Sequence, residues 1–476
     1  MRRNTAMLVA LISLNGCAAQ PPTPSNGADT APEPAPVADP SALIRRIDER
    51  RRDDPYTLSL GGHPLVLTGE YAGTLFKRQD FSLAPGVRDD LVRLDQELQL
   101  EALYTPGSKT RLFFEIKALA ETELSRENGN KSAEESLSRG QMWWYTAEAL
   151  GRGSAMQIGR QNFRERRSWW WDDDLDAVRL HFNHGKVDAQ LSLAREMAPE
   201  STLDGIDPAE EDLRRVIGHL RWQFRKRHSL EAYFLDQRDH SDPSTVGSQI
   251  ARSRRDTSDA KLRWYGLRSS GSARYGALGR MQYWLDLATV RGDETTVDYR
   301  TVNSLTSEVR GLRTVSVSGR AFDVGVGVQL DLPARPAFSL GVARASGDGD
   351  PGDAVDGAFR QTGLEENKAR LFGVKRFRYY GELTQPSLAN LEILTGGLGI
   401  RLTGDRNSSI DLVYHRYRQT VPAQSMREFR ISAPLNGVDR DLGQELDVII
   451  AIRESRRWEL VVIAAAFKAG AAYGAL

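Results

Sequence analysis

From residue 58 onward the chain alternates apolar and polar side chains in segments of 9–15 residues, divided by Gly, Pro, Asp and Asn. Period-two alternation of that length specifies strands with one apolar and one polar face. Residues 321–332 are the cleanest case: Phe322, Val324, Val326, Val328, Leu330 and Leu332 share one face, while Asp323, Gly325, Gly327, Gln329 and Asp331 share the other. Residues 187–193 repeat the pattern, as do Leu446, Val448, Ile450 and Ile452 set against Glu445, Asp447 and Ala451. Further segments begin at Leu65, Leu94, Leu112, Val178, Leu220, Leu262, Tyr283, Phe338 and Leu398, for about 17 strands in all. Beyond the N-terminal segment the longest apolar run is eight residues, Leu460 to Phe467. A spanning helix needs about 20, so a helical membrane protein is excluded. A tilted strand crosses a bilayer with about 9–11 residues, which these segments supply.

The connections carry a second pattern. Tight turns at 106–108, 183–185 and 333–336 exchange with long polar stretches at 124–138, 198–212, 239–257, 291–317, 344–390 and 420–440. Short turns on one rim and long loops on the other characterise an up-and-down transmembrane β-barrel. A soluble all-β fold is the alternative, and its strands would be shorter. Trp143-Trp144 and Trp169-Trp170-Trp171 fall at strand ends, where indole rings favour the headgroup level.

The first residues read as an address. Arg2 and Arg3 precede an apolar stretch, Ala6 to Leu14, that is too short to span. Leu14-Asn15-Gly16-Cys17 resembles a bacterial lipobox, with the chain's one Cys at the lipidation position and Ala18 after it. The expected organisation is therefore a signal peptide over 1–16, a lipidated Pro-rich periplasmic tether with a short charged helix over 17–57, and a barrel over 58–476. Residues 18 to about 40 carry almost no large apolar side chains, as a disordered tether would.

With apolar faces toward lipid, alternation sends Arg179, Arg221, Arg263 and Arg401 into the lumen, together with Glu97, Glu101, Glu115, Asp323, Asp331, Glu445 and Asp447. A midplane Arg on the lipid side would cost roughly 2–4 kcal/mol. The 64 basic residues balance 64 acidic ones, so no net field points to nucleic acid. The basic side comprises 54 Arg and ten Lys. Arginine pairs carboxylates bidentately, so an Arg-rich lumen of mixed sign suits an anionic, carboxylate-bearing solute. Rigidifying the barrel would be the alternative use of those charges. No hydrolase elbow, zincin helix, phosphate loop or dinucleotide fingerprint occurs, so no enzyme activity is expected. Asp348, Asp350 and Asp353 resemble a loose calcium loop without EF-hand spacing. The acidic run 172–176 is expected to pair with Arg164, Arg166 and Arg167.

Seven stretches, in order, resemble the outer-membrane alginate-export family over roughly residues 60–475. They are Ile158-Gly159-Arg160-Gln161, the run Trp169 to Arg179, Gln361 to Asn367, Tyr380-Gly381-Glu382-Leu383, Leu412-Val413-Tyr414-His415, Gly443 to Asp447, and Phe467 to Gly474. The resemblance implies a monomeric barrel of 18 strands that passes alginate, a polyuronate, through an Arg-rich constriction in the bacterial outer membrane. It implies a lumen role for Arg160 and basic positions at Arg370 and Arg378. Outer-membrane lipids and periplasmic export machinery would be its partners. An uptake porin for oligouronates or other anions, or a non-transport barrel lipoprotein, are the competing functions. The chain departs from the family in three places. Gly140-Gln141-Met142-Trp143 lacks an acid–base pair, a short Glu454 to Arg457 turn replaces a long one, and Leu476 follows the seventeenth strand. Seventeen strands would leave an edge that lipid does not tolerate, so an unclosed or strained seam is expected between the first and last of them.

Overall fold

A computed structural model describes residues 5–16, 56–83, 89–126, 131–203, 205–241, 245–276, 279–402, 407–431, 433–454 and 458–474. Eighteen strands form one closed antiparallel wall. They are β1 (Thr5–Gly16), β2 (His63–Gln79), β3 (Leu91–Tyr104), β4 (Thr110–Arg126), β5 (Ala133–Ala147), β6 (Ser154–Arg164), β7 (Asp172–His184), β8 (Val187–Arg195) and β9 (Arg214–Arg225). The wall continues through β10 (His228–Arg238), β11 (Ser258–Arg274), β12 (Arg280–Thr301), β13 (Thr306–Gln329), β14 (Ala337–Ala345), β15 (Leu391–Arg401), β16 (Ser408–Gln419), β17 (Asp441–Glu454) and β18 (Trp458–Ala469). Each strand from β2 to β18 pairs with the next. The seventeen strands expected beyond residue 58 are all present.

The seam is not open. Strand β1 lies between β18 and β2, antiparallel to both, with Ala6 opposite Phe467 and Asn15 opposite Ala72. Both ladders shift register after Val9. An edge in lipid would strand a row of backbone groups, and the apolar N-terminal segment satisfies that row. The irregular N-terminus expected over 1–57 therefore holds a wall strand. A five-residue strand, Tyr56–Leu60, also flanks β2. Cys17, the tether and its helix lie outside the described residues.

Outward-facing side chains form an apolar band: Leu98, Phe114, Ile116, Val178, Leu193, Leu220, Trp222, Leu267, Leu340, Leu398 and Leu446 are all exposed. The stretch 291–317, expected as a loop, is mostly strand. Thr295, Val297, Val315 and Val317 are β-branched and extend β12 and β13 into a long ladder.

Candidate functional site: a two-sided lumen

The lumen is built by what folds into it. The connection 346–390, expected as part of an outer polar loop over 344–390, turns inward and buries Phe359, Leu364, Val374, Phe377, Tyr379, Tyr380, Leu383 and Leu388 in one cluster with the wall. The turn between β6 and β7 does the same. The Glu165 carboxylate accepts hydrogen bonds from the backbone N–H of Trp169 (2.5 Å) and Trp170 (3.2 Å), which bends the chain into the barrel. Trp169, Trp170 and Trp171 are consequently buried rather than set at a headgroup belt, and Trp143 is buried as well. Trp170 stacks on Tyr233 at 4.9 Å and fits against Gly266, where an added Cβ would stand 1.8 Å from its ring.

A buried ionic lattice locks these inner segments to β11–β13. Arg268 pairs with Asp286 at 2.6 Å and with Glu165. Arg167 pairs with Asp323 at 2.6 Å. The Tyr380 hydroxyl donates to Asp323 Oδ2 (2.8 Å) and accepts from Trp169 Nε1 (2.9 Å). Arg360 meets Glu294 at 2.6 Å. On the far wall Glu445 accepts from the N–H groups of Leu383 (2.7 Å) and Thr384 (3.1 Å), and Asp447 from that of Glu382 (3.2 Å). Gly381, at φ 125°, makes this approach possible, since a Cβ there would lie 2.3 Å from the Tyr417 hydroxyl. Glu445 and Asp447, expected in the permeation path, are thus anchors for backbone donors and are fully buried.

Strands β2–β5 face a different interior. Leu103, Phe113, Trp143 and Tyr145 form a small buried cluster there, but the inward polar side chains Thr68, Glu70, Asp95, Glu97, Glu101, Lys117, Glu121 and Glu134 are half-buried or exposed. This part of the wall is largely acidic and less covered by the inner segments than β11–β13. Among the acids of these strands Glu115 is buried, paired with Lys117 at 3.3 Å beside Gly140. Arginines gather at two places, some on the inner segments and some on the wall. Desolvation, then the charges of Arg378 and Arg78, lower the Arg430 guanidinium below its ordinary value. Desolvation, then Arg453 and Arg401, do the same to Arg370. These like charges sit close enough to act on one another: Arg78, Arg378 and Arg430 toward the rim of long connections, Arg370, Arg401 and Arg453 toward the rim of short turns. Arg401 donates to the Phe372 carbonyl (2.6 Å), and Arg378 pairs with Glu366 (2.7 Å). Neither Arg370 nor Arg430 has an ion-pair partner among the described residues.

Other expected residues stand elsewhere. Arg179 and Arg221 point inward as expected but are buried: Arg179 lies 3.5 Å over the Phe163 ring, and Arg221 lies 3.9 Å from Glu231. Arg160 shares the face of Ile158 and Val178 through its register with Met142 and Asp176. It is on the outer side of the wall, covered by segment 196–203 and paired with Glu196 and Glu200, each at 3.2 Å. Arg263 also faces outward, because its neighbours Leu262 and Trp264 are the buried ones. There the apolar face is the inner one, since Trp264 packs on the inward segment and donates to the Arg360 carbonyl (2.8 Å). Asp331 lies in an exposed turn, not in the lumen. Of the acidic run, Asp172 pairs with Arg164 as expected, while Arg167 goes to Asp323. The Asp350 and Asp353 carboxylates accept bonds from Gly352 and Val355 N–H, and no metal-holding cluster occurs among the described residues. Sequence reasoning missed Arg78, Arg430 and Arg453, and also Arg376, which ties the inner segment to the β6–β7 turn through Ser168 and Asp172 (3.4 Å). The parity of Arg78 with Phe76 was available as a signal, but the irregular segments holding Arg376 and Arg430 offered none.

A family model described as alginate export matches residues 64–476. The alginate production protein AlgE of Pseudomonas aeruginosa is 26% identical over 332 residues, covering 68% of this chain and 66% of that protein. The corresponding protein of Pseudomonas syringae pv. tomato is 26% identical over 318 residues, covering 63% and 61%. The chain thus spans less than two thirds of the length of these relatives. Among solved structures, Pseudomonas aeruginosa OccK5 (OpdH) is 9% identical with a TM-score of 0.45, covering 85% of this chain and 96% of that one. Pseudomonas aeruginosa OpdK with vanillate is 12% identical at 0.46, covering 85% and 96%.

Proposed function

Since the chain belongs to the alginate export family, we propose that it is a passive pore for an acidic exopolysaccharide, alginate or a related polyuronate, in the bacterial outer membrane. The observation that supports this reading is an interior with two kinds of charged lining, half-exposed carboxylates on β2–β5 and arginines gathered on the inner segments (Arg370, Arg378, Arg430) and on the wall (Arg78, Arg401, Arg453). Each passing uronate can accept a charge-assisted bond from a guanidinium. The carboxylates weaken that hold, and permeation requires binding that is weak and repeated. Arg370, Arg378 and Arg401 keep their proposed place on the path, and Arg78, Arg430 and Arg453 join them. Arg160, Arg179, Arg221, Arg263, Glu445 and Asp447 serve as wall or anchor residues in this reading. The rim of long connections is extracellular and the rim of short turns periplasmic. The barrel works as a monomer and not as an enzyme, supplied from the periplasmic side by export machinery.

Residues 1–16 remain a leader in this proposal, with Cys17 the lipidated first residue of the mature chain. Strand β1 supports it by contrast: Ala6 to Leu14 has no period-two alternation. Leader and wall strand are alternative fates of the same residues, and removal would expose the edges of β2 and β18. The mass of the mature N-terminus, with Cys17→Ala as control, distinguishes them.

The pore test is single-channel conductance in planar bilayers with polymannuronate as blocker. Arg370→Ala combined with Arg430→Ala is expected to leave the barrel folded and weaken block by about tenfold, the worth of one charge-assisted hydrogen bond. Unchanged block and unchanged reversal potential would remove the arginine lane from the mechanism.

A further inference from the structure

The outer surface carries a feature that permeation does not use. A groove of about 820 Å³ crosses β8–β12. Two outward-facing rows line it: Gly218, Phe234, Tyr265 and Thr289 along one side, Leu220, Ala232, Leu267 and Leu287 along the other. Its concavity comes from Gly218 and Ala232, small residues where neighbouring strands present Leu, Phe and Tyr. Tyr265, Leu267, Leu287 and Leu220 are all exposed.

One step toward the rim of long connections, the chemistry changes. Arg263 lies two residues from Tyr265, and Arg291 two residues from Thr289; the two arginines are direct cross-strand partners. Arg320 stands opposite Thr289, at the level of the first groove row and diagonal to Arg291, whose own partner is Ser318. Arg263 is held by Asp236 at 3.2 Å, but Arg291 and Arg320 have no ion-pair partner among the described residues. Like charges directly opposed in a ladder destabilise it. Two guanidiniums directly opposed and a third diagonal to them, at the edge of an apolar groove, call for an anion between them that is attached to something apolar below.

We propose that this face is a specific site for a phosphate-bearing lipid of the outer leaflet, its acyl chain in the groove and its phosphate bridging Arg263, Arg291 and Arg320. Guanidinium forks match phosphate oxygens bidentately. Basic groups at a membrane surface attract anionic headgroups. Arg263, expected in the lumen, thereby acquires a role on the outside. The site rests on the outer-membrane reading above, because only a bilayer delivers such a ligand to this face.

Native mass spectrometry of the detergent-released barrel, titrated with diphosphoryl lipid A, tests it. Wild type is expected to retain one lipid. Arg263→Gln, Arg291→Gln and Arg320→Gln should each lower retention by roughly fivefold, the effect of one basic group near an anionic surface. Gly218→Phe with Ala232→Phe should lower it as well, with the charges intact and the groove filled. Equal retention by the triple arginine variant, displacement of the lipid by inorganic phosphate or polymannuronate, or equal retention of an uncharged diacylglycerol would overturn the site. Insertion into phosphatidylcholine vesicles separates the two readings. Wild type that inserts and conducts but shows no arginine dependence refutes the lipid site alone. Wild type that neither inserts nor conducts refutes the pore.

Discussion

Strands β2–β5 and strands β11–β13 alternate with the same period and carry acids on the same inward side, yet the acids meet opposite fates. Glu97 and Glu101 face water, and Glu101 is bonded to the Thr68 hydroxyl at 2.8 Å. Asp286 and Asp323 are buried: Asp323 is locked to Arg167 from the β6–β7 turn, and Asp286 sits between Arg268 of the neighbouring strand (2.6 Å) and the same Arg167 (3.6 Å). The wall itself does not decide between permeation and structure. What folds against it does.

The largest expected consequence is in stability. Asp323→Ala would leave Arg167 buried without its closest partner, together with the Tyr380 and Trp284 donors. It should cost about 3–5 kcal/mol, read as a shifted urea midpoint in detergent micelles. Glu97→Ala on the open wall should stay within about 0.5 kcal/mol. Equal losses would show that the open wall is packed after all.

Overpacking gives the next contrast. Gly266→Val would drive a side chain into Trp170 and should cost about 1–3 kcal/mol. Gly69→Ala meets only Leu100 at 3.3 Å and Gln99 at 3.4 Å, and should shift the thermal midpoint little. A reversed order would misplace the inner segments.

Charge on the path gives a smaller effect, visible in conduction rather than stability. Glu97→Gln with Glu101→Gln should move the reversal potential toward anion selectivity, and more at low salt, where the Debye length is longer (about 30 Å at 0.01 M against 3 Å at 1 M). Glu445→Gln should leave the reversal potential unchanged, because that carboxyl is buried against backbone donors. A shift in the second variant without one in the first would exchange the two roles. Smallest of all, Arg263→Ala should change neither stability, beyond about 0.5 kcal/mol, nor selectivity, since its side chain lies outside the barrel.

How much was legible in advance follows the same division. Alternation over residues 321–332 or 187–193 announced strands because the side-chain period of a strand is local geometry. The order of short and long connections announced a barrel. Arg221 could be oriented correctly because Leu220 and Trp222 do face out. Arg263 could not, although it also stands between two apolar residues. Leu262 and Trp264 are apolar because an inner segment covers them, and that contact spans almost a hundred residues of sequence.

The amino-acid order alone therefore determined seventeen of the eighteen wall strands, the antiparallel meander and the family, all of which rest on periods and words read within one segment at a time. Only the tertiary structure decided which acids stay half-exposed and which anchor, that 346–390 enters the lumen, and that Thr5–Gly16 lies in the seam. The physical reason is that burial of a charge is paid by a partner from elsewhere in the chain. Arg167 and Asp323 are 156 residues apart, and nothing in either neighbourhood names the other.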